Sequence, residues 1–214
     1  MKEKPYHHKD LKNRIIKEAL RILQSEGIHG LSLRKIAKKL GTSHAAPHRH
    51  FQDKNQLLAE ISEKGFLILQ KMIVQNMEHE TVPSKKLKKY GESYIRFAAE
   101  YPQYFRVMFG ENFYEKNSYP ECEKAGMDAF NLLLTVISEC MEKKEFAKGN
   151  PLASAISAWS AVHGLSSLIV DNRLEIFQEM NFNTDTAFLS EIVCTDILNG
   201  MLAKKKKTVK SKKT

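Results

Sequence analysis

Along this chain apolar residues return every three or four positions, the period of helices with one buried face. The first run extends from near Asp10 to Glu26, with Leu11, Ile15, Ala19, Leu20 and Leu23 on one face and Gly27 to stop it. Tyr6, His7 and His8 before it read as a polar, disordered arm, and Lys9, Lys12 and Lys17 as solvated or phosphate-directed cations. Leu33, Ile36, Ala37 and Leu40 make a second stripe, opened by Ser32, whose side chain can accept from free helix N–H groups. Gly41 takes a left-handed backbone without steric cost and ends that helix, while Thr42 and Ser43 offer hydroxyls to cap a third, short one. Ser32 to Phe51 thus predicts a helix-turn-helix, on which the first helix packs as a three-helix head.

The remaining pattern is also helical. Asp53 and Gln56 form a capping-box pair opening a long helix with Leu57, Leu58, Ile61, Phe66, Leu69, Met72, Ile73 and Met77 as apolar positions; Gly65 inside it marks close packing or a bend, with packing the default. Thr81 to Ser84 break the chain, and Leu87, Tyr90, Tyr94, Phe97 and Tyr101 follow as an aromatic stripe, either core or the wall of a cavity. Pro102 opens a short helix bearing Phe105, Met108 and Phe109, and Gly110 to Pro120 read as a loop. Met127, Phe130, Leu133, Leu134, Ile137 and Met141 give the next helix a face between Glu121 and Phe146. Asn150 and Pro151 start another, to about Leu174, on which Ala153, Ser157, Ser160, Gly164 and Ser167 form a small-residue face that admits a second helix closely. Ile156, Trp159, His163 and Val170 lie a quarter turn away, and a last helix, Thr184 to Leu202, buries Phe188, Leu189, Ile192, Val193, Ile197 and Met201.

Charge changes the picture by its placement. The net charge of +9 divides into +8 over residues 1–56, +7 over the tail 204–214 and −6 between them. No acidic residue stands between Leu31 and Gln52, where Arg34, Lys35, Lys38, Lys39 and Arg49 lie, with Lys54 just beyond. Such a surface suits a phosphate lattice and predicts steeply salt-dependent binding. In a helix-turn-helix the second helix enters the major groove, which places His44, Ala45 and Ala46 at base edges. The Lys-rich tail, 204–214, reads as disordered, either a solubility tail or a source of sequence-independent DNA affinity.

Composition bounds the class. With 42% apolar and 28% charged residues over 214 positions, the chain suits a soluble helical protein. No apolar run is expected to approach the roughly 20 residues of a membrane span, and the charged N-terminus lacks a secretory apolar segment, so the expected location is cytoplasmic. Cys122, Cys140 and Cys194, without metal-ligand spacing, read as reduced packing residues. No G-x-S-x-G, H-E-x-x-H or phosphate-cradling glycine loop is present, so neither catalytic residues, metal nor cofactor are expected. A sequence-nonspecific architectural DNA binder is the alternative the basic tail and small readout surface leave open.

The run Ser43–Phe51, SHAAPHRHF, resembles the DNA-binding head of the tetracycline-repressor (TetR) family, whose recognition helix ends in an aromatic-x-His-Phe signature, here His48, Arg49, His50, Phe51. The family usually has tyrosine where this chain has His48 and often leucine at Pro47; imidazole then stands in as the donor. Trp159, Val162, His163, Gly164 and Leu165 resemble the W-x-x-V-H-G-L signature of a subgroup named for Trp, His and Gly (WHG), extending the resemblance over most of residues 9–203.

The resemblance implies an all-α protein: a helix-turn-helix head over 9–69, with its motif at 32–51, and a helical-bundle effector-binding and dimerisation body over 70–203. It implies DNA contacts from Arg34, Thr42, Ser43, His44, Ala45, Ala46, His48 and Lys54. It further implies an apolar effector pocket, assigned to Tyr94, Phe97, Phe105, Met108, Phe130, Trp159 and His163, where His163 either meets the ligand or satisfies a buried hydrogen bond. A four-helix homodimer interface is assigned to Ser157, Ser160, Gly164, Ser167, Phe188 and Ile192. The implied function is repression: a homodimer on a palindromic operator in double-stranded DNA, released by a small-molecule effector of unknown identity.

Overall fold

The structure, a computed structural model, describes residues 7–110 and 118–202, with side chains from Leu11. The Lys-rich tail, Tyr6 and most of the expected loop after Gly110 lie outside the described residues. Ten helices appear among those described: α1 His7–Glu26, α2 Leu33–Leu40, α3 Ala45–His48, α4 Lys54–Met77, α5 Pro83–Glu100, α6 Pro102–Phe109, α7 Pro120–Glu142, α8 Pro151–Val170, α9 Glu175–Gln178 and α10 Thr186–Met201. The all-α expectation holds, with an isolated antiparallel bridge between Phe146 and Leu202 as the sole β pairing among described residues.

The helices form two compact units, Met1–Lys71 with Phe97–Ala129, and Met72–Arg96 with Phe130–Thr214. In the first, α1 presents Ile15, Ile16, Ala19, Ile22 and Leu23 to Leu33 and Ile36 of α2, Phe51, and Leu57, Leu58 and Ile61 of α4, with Val107 of α6 completing the cluster. Leu11 and Leu20 are only partly buried, so the buried face of α1 is rotated from the expected one towards Ile16 and Ile22. Burying such side chains contributes about 1.5–3 kcal/mol each before entropy is counted. Gly65 is a packing glycine as expected: a Cβ there would overlap Met108.

Several expectations are corrected at helix ends. His7 and His8 belong to α1 rather than to an arm before it, since nothing after Pro5 opposes helix continuation. Pro83 belongs to α5 rather than to the break, taking the early position where its missing N–H costs nothing. The Glu80 carboxylate accepts from the N–H groups of Thr81 and Val82 just before it, and these bonds, Val82's foremost, lower its pKa. The α7 helix stops at Glu142, so Phe146 is buried outside it, and Met127 is 59% exposed rather than on its buried face. The α8 helix ends at Val170, where Asn172 adopts φ 54, and the short α9 beyond it was not foreseen.

The α8 helix also corrects the expectation about apolar length. Pro151–Val170 carries no charged residue and, by length and composition alone, is apolar enough to cross a membrane, with a mean hydropathy of 1.3 over its best stretch. Serines interrupt every continuous apolar run, yet alanine, valine, isoleucine and leucine keep the mean high. Such a helix is weak evidence for a membrane span, because core helices share its composition. It packs against α10, burying Ala155, Ala158, Val162, Leu165, Ser166 and Val170, while α10 buries Leu189, Ser190 and Cys194.

Candidate nucleic-acid interface and body sites

The segment between Ser32 and Lys54 is built from local backbone chemistry. Ser32 accepts from the Lys35 N–H at 3.2 Å, Gly41 sits at φ 64, and the Thr42 N–H closes the end of α2 on the Ala37 carbonyl at 3.0 Å. Such a left-handed turn costs an ordinary residue roughly 1–2 kcal/mol. The third helix starts differently from expectation. His44, in helical conformation, is the residue before it and makes no side-chain cap; the Ser43 carbonyl accepts from Ala46 N–H at 3.0 Å, and the Thr42 hydroxyl turns back to the Ala37 carbonyl at 3.4 Å. The Ser43 hydroxyl therefore does not cap α3, because His44 is already wound into the turn.

Burial separates two faces of this segment. Leu33, Ile36, Ala37, Pro47 and Phe51 are buried, whereas Arg34, Lys38, Lys39, Ser43, His44, Ala45, His48 and Arg49 are exposed; Thr42 and Ala46 are intermediate. Pro47 packs inward and its carbonyl accepts from both His50 and Phe51 at 2.9 and 3.0 Å, so the turn continues without the N–H that proline lacks. The expected DNA residues are thus brought together on one short stretch. Lys54 is half-buried at the start of α4 and donates to the Ile28 carbonyl at 3.4 Å. Asp53 caps α4 by accepting from Gln56 N–H at 2.8 Å, and Gln56 returns to Gln52 N–H at 2.6 Å, one residue earlier than a standard capping box. Lys12, weighed as a phosphate contact, is instead paired with Glu60 at 2.9 Å and lies over the Phe51 ring. Lys35 pairs with Glu26.

The seven expected pocket residues divide between the units. Tyr94, Phe130, Trp159 and His163 belong to the second, and Phe97, Phe105 and Met108 to the first. In the second unit the Trp159 N–H donates to the Tyr94 oxygen at 3.1 Å, and the Tyr94 hydroxyl is hydrogen-bonded with His163 Nδ1 at 2.9 Å. Burial raises the Tyr94 pKa and lowers that of His163, keeping both groups neutral. Phe130 packs edge-on against Trp159 at 5.9 Å. In the first unit Phe105 packs on Phe109 at 5.0 Å and Phe97 stacks on Tyr101 at 5.6 Å.

A small cavity of the second unit, lined by Leu87, Tyr90, Gly91, Leu133, Ala158, Val162, Cys194 and Ile197, has room for about one water molecule. None of the seven expected residues lines it. Burial pushes the thiols of Cys140 and Cys194 up to about 12, so both stay protonated, and all three cysteines are buried. No group of three His, Cys, Asp or Glu with metal-holding geometry occurs among the described residues.

Of the expected dimer residues, Ser157, Ser160, Gly164, Phe188 and Ile192 are exposed and Ser167 is intermediate. The same helix exposes Leu152, Ile156 and Leu168, and the segment beyond exposes Ile176, Phe177, Met180 and Phe182. Apart from Ile156, these apolar side chains were not singled out from the sequence, although the lack of charge throughout α8 was a usable signal.

Comparison with known proteins places both halves. Residues 15–61 match the bacterial regulatory proteins of the tetR family, and residues 87–192 match a tetracyclin repressor-like C-terminal domain. Over 67 residues the chain is 34% identical to the class A tetracycline repressor from transposon 1721 of Escherichia coli, a match spanning 31% of this chain and 28% of that protein. A solved protein of unknown function from Rhodococcus sp. RHA1 superposes with a TM-score of 0.79 at 25% identity, over 94% of this chain and all of that one. AibR, solved with isovaleryl coenzyme A and operator DNA, shares the fold at a TM-score of 0.66 and 16% identity, over 89% of this chain and 97% of its own. With its capped helix-turn-helix and all-helical remainder, the chain belongs to the TetR family of bacterial regulatory proteins.

Proposed function

We propose that this chain is a cytoplasmic transcriptional regulator, most simply a repressor, that binds a palindromic operator as a homodimer and is released by a small apolar effector. The observation that carries this reading is the two-faced segment Ser32–Lys54, which buries its apolar residues and exposes small side chains and cations around a short helix. Residues 9–69 serve as the DNA-binding head, 70–203 as the effector-binding and dimerisation body, and 204–214 as an accessory basic tail. Arg34, Thr42, Ser43, His48 and Lys54 position the head on phosphates, while His44, Ala45 and Ala46 read base edges.

The exposed apolar and small residues of α8 and α10 support pairing with a second copy, since a face this apolar is stabilised by leaving water. Two heads must lie about 34–36 Å apart to occupy successive major grooves, so an effector that prefers another spacing releases the DNA. The aromatic group of Tyr94, Phe130, Trp159 and His163 supports an effector contact in the body. Trp159 is the chain's one tryptophan, so its fluorescence reports ligand binding there.

The test is protection of DNA upstream of the chain's own gene, in excess random competitor, with and without residues 204–214. A protected palindrome that survives tail removal supports the operator reading. Binding competed away by random duplex, or lost with the tail, replaces it with sequence-nonspecific architectural binding.

A further inference from the structure

Glu26 ends α1, and its carboxylate pairs with Lys35 on α2. The turn between the two helices is shaped for that pairing. A Cβ on Gly30 would overlap the Cβ of Glu26 and stand 2.9 Å from its Oε2 and 3.2 Å from its carbonyl oxygen. The missing side chain of Gly30 thus gives the carboxylate its path to Lys35. Leu23, Leu31 and Leu33, all in the core cluster, hold both ends of the turn independently. With its two side chains 38% and 32% exposed, the pair is screened by water and adds little to the stability of the head.

The other cations of the same helix are placed differently. Arg34, Lys38 and Lys39 are exposed and carry no ion pair among the described residues, so each can neutralise a phosphate and release that phosphate's counterion. A lysine already matched by a fixed carboxylate has no such charge to offer. We propose that Glu26 is an internal stand-in for phosphate, which keeps Lys35 out of the DNA contact and so limits the sequence-independent affinity of the head. This rests on the DNA-binding reading above and leaves base readout untouched. Its consequence is for release: an effector moves the protein off DNA only by its differential affinity for two states, and each phosphate contact withheld lowers what that difference must overcome.

The experiment titrates the full chain onto the duplex from upstream of its own gene and onto a random duplex of equal length, at several salt concentrations. The proteins are the wild type, Glu26→Gln, and the double variant Glu26→Gln with Lys35→Gln. Glu26→Gln should bind both duplexes more tightly, roughly threefold or more per head, with a salt slope steeper by about 0.9 per head. The double variant, in which the net charge of the two positions is again zero, should return to wild-type affinity and slope. A Glu26→Gln protein with unchanged affinity, or one tighter on the upstream duplex alone, overturns the proposal. So does a double variant that stays as tight as Glu26→Gln, which makes the gain a general field effect, or one that falls well below the wild type, which means that Lys35 already touches phosphate. A wild type that prefers neither duplex takes down the operator reading alone, because the comparison then stands on random DNA. One that binds no duplex takes down both.

Discussion

The α2 and α8 helices turn opposite kinds of surface outward. The α2 helix buries Leu33, Ile36 and Ala37 and exposes Arg34, Lys38 and Lys39; α8 buries Ala155, Ala158 and Val162 but also exposes Leu152, Ile156 and Leu168. An exposed face of cations is at rest in water and awaits anions, whereas an exposed apolar face is stabilised by any partner that removes water from it. The outward residues of a helix therefore indicate the class of its partner, and the inward ones only that it is folded. On this ground we propose that the two surfaces of one chain meet DNA and a second copy of the chain.

That contrast can be broken in measurable ways. The largest expected effect is on the inward face of α2: Ile36→Ala, at a fully buried position, should cost about 3 kcal/mol in denaturant unfolding. A loss below about 0.5 kcal/mol would mean that α2 is not held by its apolar stripe. Next is the outward face of α8 and α10. Ile156→Glu combined with Ile192→Glu should weaken dimerisation by about 100-fold, read by light scattering across a dilution series, with helical content retained. Undiminished dimers would assign this face to a different partner.

Inside the second unit, Tyr94→Phe removes the hydroxyl between Trp159 and His163 and should cost about 2 kcal/mol. The pH dependence has a definite sign. Because burial lowers the folded pKa of His163, the unfolded chain takes up the proton more readily. The contribution is complete above the ordinary imidazole value of about 6.5 and is lost as pH falls below it towards the folded pKa. The unfolding midpoint should therefore drop between pH 7.5 and pH 5.5, and His163→Asn should narrow that drop. The smallest effect sharpens the turn between α2 and α3: Gly41→Ala, at φ 64, should cost about 1 kcal/mol, visible as a thermal shift of a few degrees.

Local chemistry made the helix-turn-helix legible before any coordinates. Ser32, Gly41 and Asp53 act within three or four residues of themselves, so their caps and turn follow from neighbours the sequence displays. The same holds for Asn150, which accepts from Leu152 and Ala153 N–H groups at 2.9 and 3.3 Å. Where the reading failed, a backbone group supplied what a side chain was expected to supply. At α3 the Ser43 carbonyl, not its hydroxyl, starts the helix, and no pattern of residue types distinguishes those two oxygens.

Sequence by itself determined the helical class, the placement of most helices, the basic surface of residues 31–54 and the family. Each depends on period, short-range capping or charge, which are properties of adjacent positions. Tertiary structure decided which cations are already paired, as Lys12 is with Glu60 across 48 residues. It also decided that Phe97–Ala129 join Met1–Lys71 in one unit, and that the aromatic residues expected around a single pocket divide between two. The Tyr94, Trp159 and His163 hydrogen bonds join positions 65 and 69 residues apart. Contacts at such separations depend on how whole helices pack, and helical periodicity names the buried face without naming what it meets.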